Sequence, residues 1–252
     1  MEKAPIKKFA VEARRKLIAD VTFQLERYGI TEKGIVEPQT STDKELVFDL
    51  GNGNVQTIRG VRAVNQYKNL AAHVRGFYTA DEPKKELEQF IEEIAYTWFN
   101  RLIAVRFMEV NDYLPSHIRV LSSESGRLEP DLVATPFDAE LPFTPAEEAE
   151  LVQLRQDNKI DEAFRILFVK QCNALNEILP FLFEKTKDYT ELLINLSVID
   201  QDGVVYHLIH DIPKDDFNIE HGGQVEIIGW LYQYYNTCLL YTSPSPRDYA
   251  AS

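Results

Sequence analysis

Residues 83–110, PKKELEQFIEEIAYTWFNRLIAVRFMEV, decide how this chain folds. Leu87, Phe90, Ile91, Ile94, Ala95, Trp98, Leu102, Ile103 and Phe107 recur at three- and four-residue steps, the spacing that places side chains on one face of an α-helix. Trp98, Phe99 and Phe107 widen the apolar arc, so this helix is expected to be central and packed on more than one side. Trp98 is read as a core residue in preference to a platform for a stacked base. Asp81-Glu82-Pro83 marks the start, because acidic residues and proline both suit a first helical turn.

On the amino-terminal side, Ile6, Phe9, Ala10, Ala13, Leu17, Ile18, Val21, Leu25 and Tyr28 predict a helix over 6–28, with Gly29 as its C′ residue. Lys7, Lys8, Arg14, Arg15 and Lys16 crowd its first half; a phosphate-facing patch is weighed there, and a solvated face is preferred. Leu46-Val47-Phe48 and Val55-Gln56-Thr57-Ile58 flank Gly51-Asn52-Gly53, which predicts a small β-hairpin near 46–58. The glycine pair lacks the third glycine, preceding strand and following helix of a nucleotide-binding loop. Val61, Val64, Tyr67, Leu70, Ala71 and Val74 predict a further helix over 61–77.

On the carboxyl-terminal side, residues 111–143 carry Pro115, Pro130, Pro136 and Pro142 and no sustained period. So long a stretch reads as an ordered connection draped over the core or as a lid-like loop. Thr144-Pro145-Ala146-Glu147 is a capping box with proline at the first helical position, opening a helix to about residue 156. A helix over 160–179 follows, then shorter apolar-periodic pieces at 189–198, 203–212 and 225–236. The expected fold is mostly α, a helical bundle-like region over residues 1–237 with one small hairpin. No internal repeat is found.

The 252 residues, 44% of them hydrophobic, suffice for one sizeable core or two small ones. A formal net charge of −13 argues against binding nucleic acid through the overall field. No apolar run approaches a membrane span and no secretory leader is read at the start, so no membrane partner and a cytoplasmic location are expected. Cys172 and Cys238 are too few and too far apart for a disulfide framework or a zinc site.

Few constellations suggest chemistry. His207 and His210, with Asp211 and, further on, Glu220 and His221, are weighed as metal ligands, but no residue completes a set at ligand spacing, and a helix surface is preferred. Asp200, Asp202, Asp215 and Asp216 lie in predicted turns; helix N-capping explains the first two better than cation binding. There is no P-loop and no G-x-S-x-G. No catalytic, cofactor-binding or metal-binding residue is assigned.

Three stretches carry a resemblance. Lys16–Gly34 (KLIADVTFQLERYGITEKG), Ala95–Ser123 (AYTWFNRLIAVRFMEVNDYLPSHIRVLSS) and Val225–Thr237 (VEIIGWLYQYYNT) resemble, in the same order, the amino-terminal region of the BREX adenine-specific DNA methyltransferases of the PglX type. The resemblance implies a large S-adenosylmethionine-dependent enzyme of phage defence that methylates adenine N6 in DNA and works with other defence proteins. Such a reaction needs a flipped adenine in a pocket. It also implies an α/β methyltransferase domain with an Asn/Asp-Pro-Pro-Tyr/Phe loop and a glycine-containing cofactor loop. Neither motif occurs in this sequence, so no cofactor is expected to bind this stretch alone. The competing expectation is a non-enzymatic helical interaction module. Cys238–Asp248, CLLYTSPSPRD, resembles a translated sequencing adapter, and residues 238–252 are read as a non-native, disordered tail.

Overall fold

The computed structural model describes residues 3–180, 183 and 187–242, with side chains up to 237. The chain is mostly helical, and among the described residues the strands form only small antiparallel sheets. The long helices are α1 (Lys3–Arg27), α2 (Val61–Arg75), α3 (Pro83–Val110), α5 (Pro145–Gln156), α6 (Ile160–Asn176) and α9 (Glu226–Thr242). Shorter ones are α4 (Asp131–Ala134), α7 (Val204–His210) and α8 (Lys214–Phe217). Among the described residues no helix is long and apolar enough to cross a membrane.

Two compact units emerge. The smaller comprises Leu17–Trp98 and Phe183–Asn195; the larger comprises Met1–Lys16, Phe99–Leu182 and Leu196–Ser252. α1 and α3 each contribute one part to either unit.

In the smaller unit α1 stops at Arg27, and Gly29 takes φ 72°, the left-handed conformation expected of a C′ glycine. A side chain there would also press on Val36, whose Cβ lies 2.9 Å from an ideal Cβ position. β1 (Ile30–Thr31) and β2 (Gly34–Ile35) then make a minimal hairpin. β3 (Thr40–Ser41), β4 (Glu45–Asp49) and β5 (Val55–Arg59) form a second sheet in which Leu46 faces Ile58 and Phe48 faces Gln56. The expected hairpin is therefore present, with β3 added along one edge. Gly51, Asn52 and Gly53 all take positive φ in its turn, which glycine permits without steric cost. Leu46 and Phe48 alternate inward, and Phe48 meets the Tyr67 ring edge-on at 4.9 Å between centroids. Burial, then the nearby Glu37, push the Tyr67 phenol up to about 12.

The Asp188–Leu193 3-10 turn lies along α2 in this unit. Glu191 accepts hydrogen bonds from Arg62 Nη2 and Gln66 Nε2, and Asn69 Nδ2 donates to Asp188 at 3.0 Å. His73 stacks on Tyr189 at 5.4 Å. Arg62, Gln66, Asn69 and His73 are spaced four, three and four residues apart, so they form one stripe of α2.

In the larger unit α3 is buried all round: residues 101–106 are consecutively buried, including Arg101 and Arg106. Phe99 meets Phe9 of α1 at 6.3 Å and Tyr235 of α9 at 4.5 Å. Arg14 belongs here too. It is buried, with its guanidinium 5.8 Å from the Tyr235 ring, so it leaves the basic face expected on α1; Lys7, Lys8 and Arg15 remain exposed.

The Thr144 box forms as expected, with Glu147 N–H donating to Thr144 Oγ1 and Thr144 N–H to Glu147 Oε2. Burial alone would raise the Glu147 carboxyl; hydrogen bonds from Lys170 Nζ and from Thr144 reverse that and hold it at about 2. α9 reaches Thr242, beyond the expected end near 236. Residues 238–242 contain no glycine or proline, and the first proline is Pro244. The remainder of the expected tail, 243–252, lies outside the described residues, as does the Cys238 side chain.

Candidate functional site

The larger unit concentrates its buried polar groups at the carboxyl-terminal end of α3. Arg106 and Glu109, one turn apart on a helix surrounded by core, have 5% and 1% of their side chains exposed. Two charges so deep are tolerable only when paired and hydrogen-bonded. Arg106 Nη1 donates to Glu109 Oε1 at 2.6 Å, and Ser122 Oγ donates to the same oxygen at 3.0 Å. Glu109 Oε2 accepts the backbone N–H groups of Val120 and Leu121, both at 2.9 Å. Four donors thus fill the carboxylate.

The segment so gripped is held from its other side by α4. Asp131 accepts from Ser123 Oγ at 2.7 Å and from the Glu124 N–H at 2.8 Å. Its own N–H donates to Ser122 O, and Leu132 N–H donates to Arg119 O. Leu114, Val120, Leu121, Leu132, Val133, Ala139 and Leu141 are buried along this connection. Of the two expectations for residues 111–143, the ordered connection is the one found.

Asn111 makes a second clamp. Its Nδ2 donates to Phe107 O at 2.9 Å and to Phe217 O at 2.8 Å, while its Oδ1 accepts the Ile219 N–H at 3.0 Å. Asp112 follows at φ 58°, ending the helix in the left-handed region that Asn and Asp tolerate best. The end of α3 and the residue that follows it therefore fix two stretches of backbone, one near in sequence and one far. Chemically the arrangement is a binder of backbone amides.

An open depression of about 410 Å³ adjoins the clamped segment, lined by Glu124, Ser125, Arg127, Asp131, Ala134 and Thr135. Arg127 crosses it, donating from Nε to Ser125 Oγ at 2.9 Å with Asp131 3.6 Å away.

The residues weighed from sequence lie apart from this site or do other work. His207 Nδ1 is 2.9 Å from Asp211 Oδ2, and His210 stacks on Tyr206 at 4.0 Å with Nδ1 turned to the Tyr206 carbonyl. His221 Nδ1 lies 3.5 Å from Asp215. Among the described residues no three His, Cys, Asp or Glu side chains come together in a way that suits a metal ion. Asp200 and Asp202 do not cap α7, whose N-cap is Gly203 without a side-chain bond. The Asp200 carboxylate instead accepts the Asp202 N–H at 2.9 Å, a local turn that competes with capping. Cys172 is fully buried, and burial pushes its thiol up to about 12. Trp98 is 1% exposed, as a core residue is. The sequence reading missed Glu109, Asn111 and Asp131. The available signal was a charged pair three apart inside the apolar run AVRFMEV, which on an all-round buried helix has to be neutralised internally.

No family model matches the chain. Over 243 residues it is 45% identical to the adenine-specific methyltransferase PglX of Lacticaseibacillus casei (strain Zhang), covering 94% of this chain and 20% of that protein. Over 150 residues it is 41% identical to the adenine-specific methyltransferase BrxX of Escherichia coli O9:H4 (strain HS), covering 59% of this chain and 12% of that protein. Identity at this level over such lengths establishes homology to these methyltransferases, the group that the three sequence stretches resemble. The chain spans about a fifth of the length of the first relative.

Proposed function

We propose that this chain is the amino-terminal helical region of a BREX adenine-specific DNA methyltransferase, and that it acts there as scaffold. The observation that carries the reading is the 45% identity running along nearly the whole chain while covering a fifth of the relative. The whole protein would transfer a methyl group from S-adenosylmethionine to adenine N6 in DNA, inside the cytoplasm, in company with other defence proteins. The Gly51-Asn52-Gly53 turn joins two antiparallel strands and opens no helix, so it lacks the strand–loop–helix geometry that cradles such ligands. No step of methyl transfer is therefore assigned to these residues. Their work is to hold backbone in place, as Glu109 and Asn111 do. In the same reading residues 238–252 derive from a sequencing adapter.

Reading the source genome downstream of codon 237 tests the proposal. An open frame that reaches an Asn/Asp-Pro-Pro-Tyr/Phe motif is the expected result; a stop codon would overturn it in favour of a free-standing interaction module. Tight S-adenosylmethionine binding, or methyl transfer to DNA, by the 252-residue chain itself would overturn the scaffold assignment.

A further inference from the structure

α5 is twelve residues long, yet Leu151 is its one buried residue. Leu151 belongs to the face turned to α6, with Leu154 half-buried beside it. A different face carries Pro145, Glu148, Ala149 and Val152, at the three- and four-residue spacing that aligns side chains along a helix. These four residues and Phe137, from the Pro136–Ala139 turn, line an open depression of about 580 Å³. Phe137 is 42% and Val152 41% exposed, so an apolar groove faces solvent.

The charge around it is mainly acidic. Between residues 136 and 152 stand Asp138, Glu140, Glu147, Glu148 and Glu150, and no lysine or arginine. Lys170 reaches this region from α6 but is committed to Glu147 Oε2 at 2.7 Å and the Pro142 carbonyl at 2.9 Å. Arg155 lies one turn beyond Val152 on α5. Asp138, Glu140 and Glu148 are exposed on the groove's two elements, whereas Glu150 stands on the opposite side of α5.

We propose that this groove docks a basic segment of a partner protein, one that sets an apolar side chain between lysines or arginines. The apolar floor supplies burial, and the acidic border supplies complementarity and steering. The same border selects against other occupants. Nucleic acid would bring phosphate to carboxylates. A second copy would set acidic border against acidic border in a two-fold contact. The inference rests on this surface and not on the methyltransferase reading, so either can fail alone.

The test uses the 252-residue chain and two fluorescein-labelled peptides of one Leu/Trp pattern, one carrying lysines and the other glutamates between them, read by anisotropy at physiological salt. The lysine peptide should bind, and the glutamate peptide should bind at least tenfold more weakly. A149E and V152E should each weaken the lysine peptide by tenfold or more although they add negative charge; E148K should weaken it several-fold. V225E, on exposed Val225 elsewhere, should leave it unchanged. Thermal melts check that each variant folds, which exposure of Ala149, Val152 and Val225 favours. Equal binding of the two peptides would overturn the proposal, as would tighter binding by V152E, which would mark plain charge attraction. Duplex DNA binding, or a dimer in sedimentation, that V152E abolishes would also overturn it.

Discussion

The two units hold their long-range segments by opposite means. In the larger unit, Glu109 in the last turn of α3 and Asn111 just beyond it fix the backbone at 120–121 and at 217 and 219 through side chains that are buried or half-buried and fully hydrogen-bonded. In the smaller unit, α2 holds the Asp188–Leu193 turn more openly: Glu191, 16% exposed, accepts from buried Gln66 but also from Arg62, which is 58% exposed, and Asn69 reaches Asp188 at the surface. Burial decides what each arrangement is worth. A buried pair is expensive to break because the surviving partner stays uncompensated, whereas an exposed pair exchanges easily with water. The first kind suits a permanent joint. The second suits a segment whose hold varies with salt and pH.

Removing Glu109 should produce the largest effect. E109A leaves Arg106 without its counter-charge and two buried backbone N–H groups without an acceptor, a loss of about 3–5 kcal/mol. Denaturant unfolding reads this loss, and amide exchange at Val120 and Leu121 should accelerate with it. A loss under about 1 kcal/mol would erase the contrast between the units. N111A comes next, at about 1–3 kcal/mol, with faster exchange centred on Ile219, because one acceptor and two donated bonds go together. E191Q should cost no more than about 1 kcal/mol, and the difference from the parent chain should shrink as salt rises from 0.05 to about 0.5 M.

The smallest effect is a pH dependence. Burial, then the nearby Lys187, lower the His73 pKa below its ordinary 6.5, with Glu93 opposing. Because the folded pKa is the lower one, the unfolded chain takes up the proton first. The stability linked to His73 is therefore complete above 6.5 and is lost as pH falls from there through the lowered value. Exchange in residues 188–193 should rise over that window, and H73F should flatten the rise. An unchanged slope in H73F would remove His73 from the comparison.

Much of this architecture was legible in sequence, for identifiable reasons. α3 combines a long apolar period with proline at its first position, and it begins at Pro83 as expected. The Thr144 box carries both of its halves in four residues, and the hairpin announces itself through Asn-Gly between apolar runs. β1, β2 and β3 escaped because strands of two residues hold no period. The division into two units escaped because α1 and α3 run through both, so no linker or change of composition marks the boundary. At the candidate site, the family-like stretch 95–123 was recognisable as a string. Its physical meaning, a carboxylate gripping backbone eleven residues ahead and an amide gripping backbone more than a hundred residues ahead, required coordinates. Arg14 misled because its neighbours in sequence are surface cations, while its own position on the helix faces a tyrosine ring.

The unequal reach of the two clamps has a consequence for assembly. Glu109 closes on Val120 across 11 positions, and Asn111 closes on Phe217 across 106. Loop-closure entropy rises with the logarithm of length, so the longer closure costs about 2 kcal/mol more, before its residues have anything else to gain. The short closure will form early and locally, giving α3 a finished end while the rest of the chain is still being synthesised. The distant one will join later, onto a surface already in place.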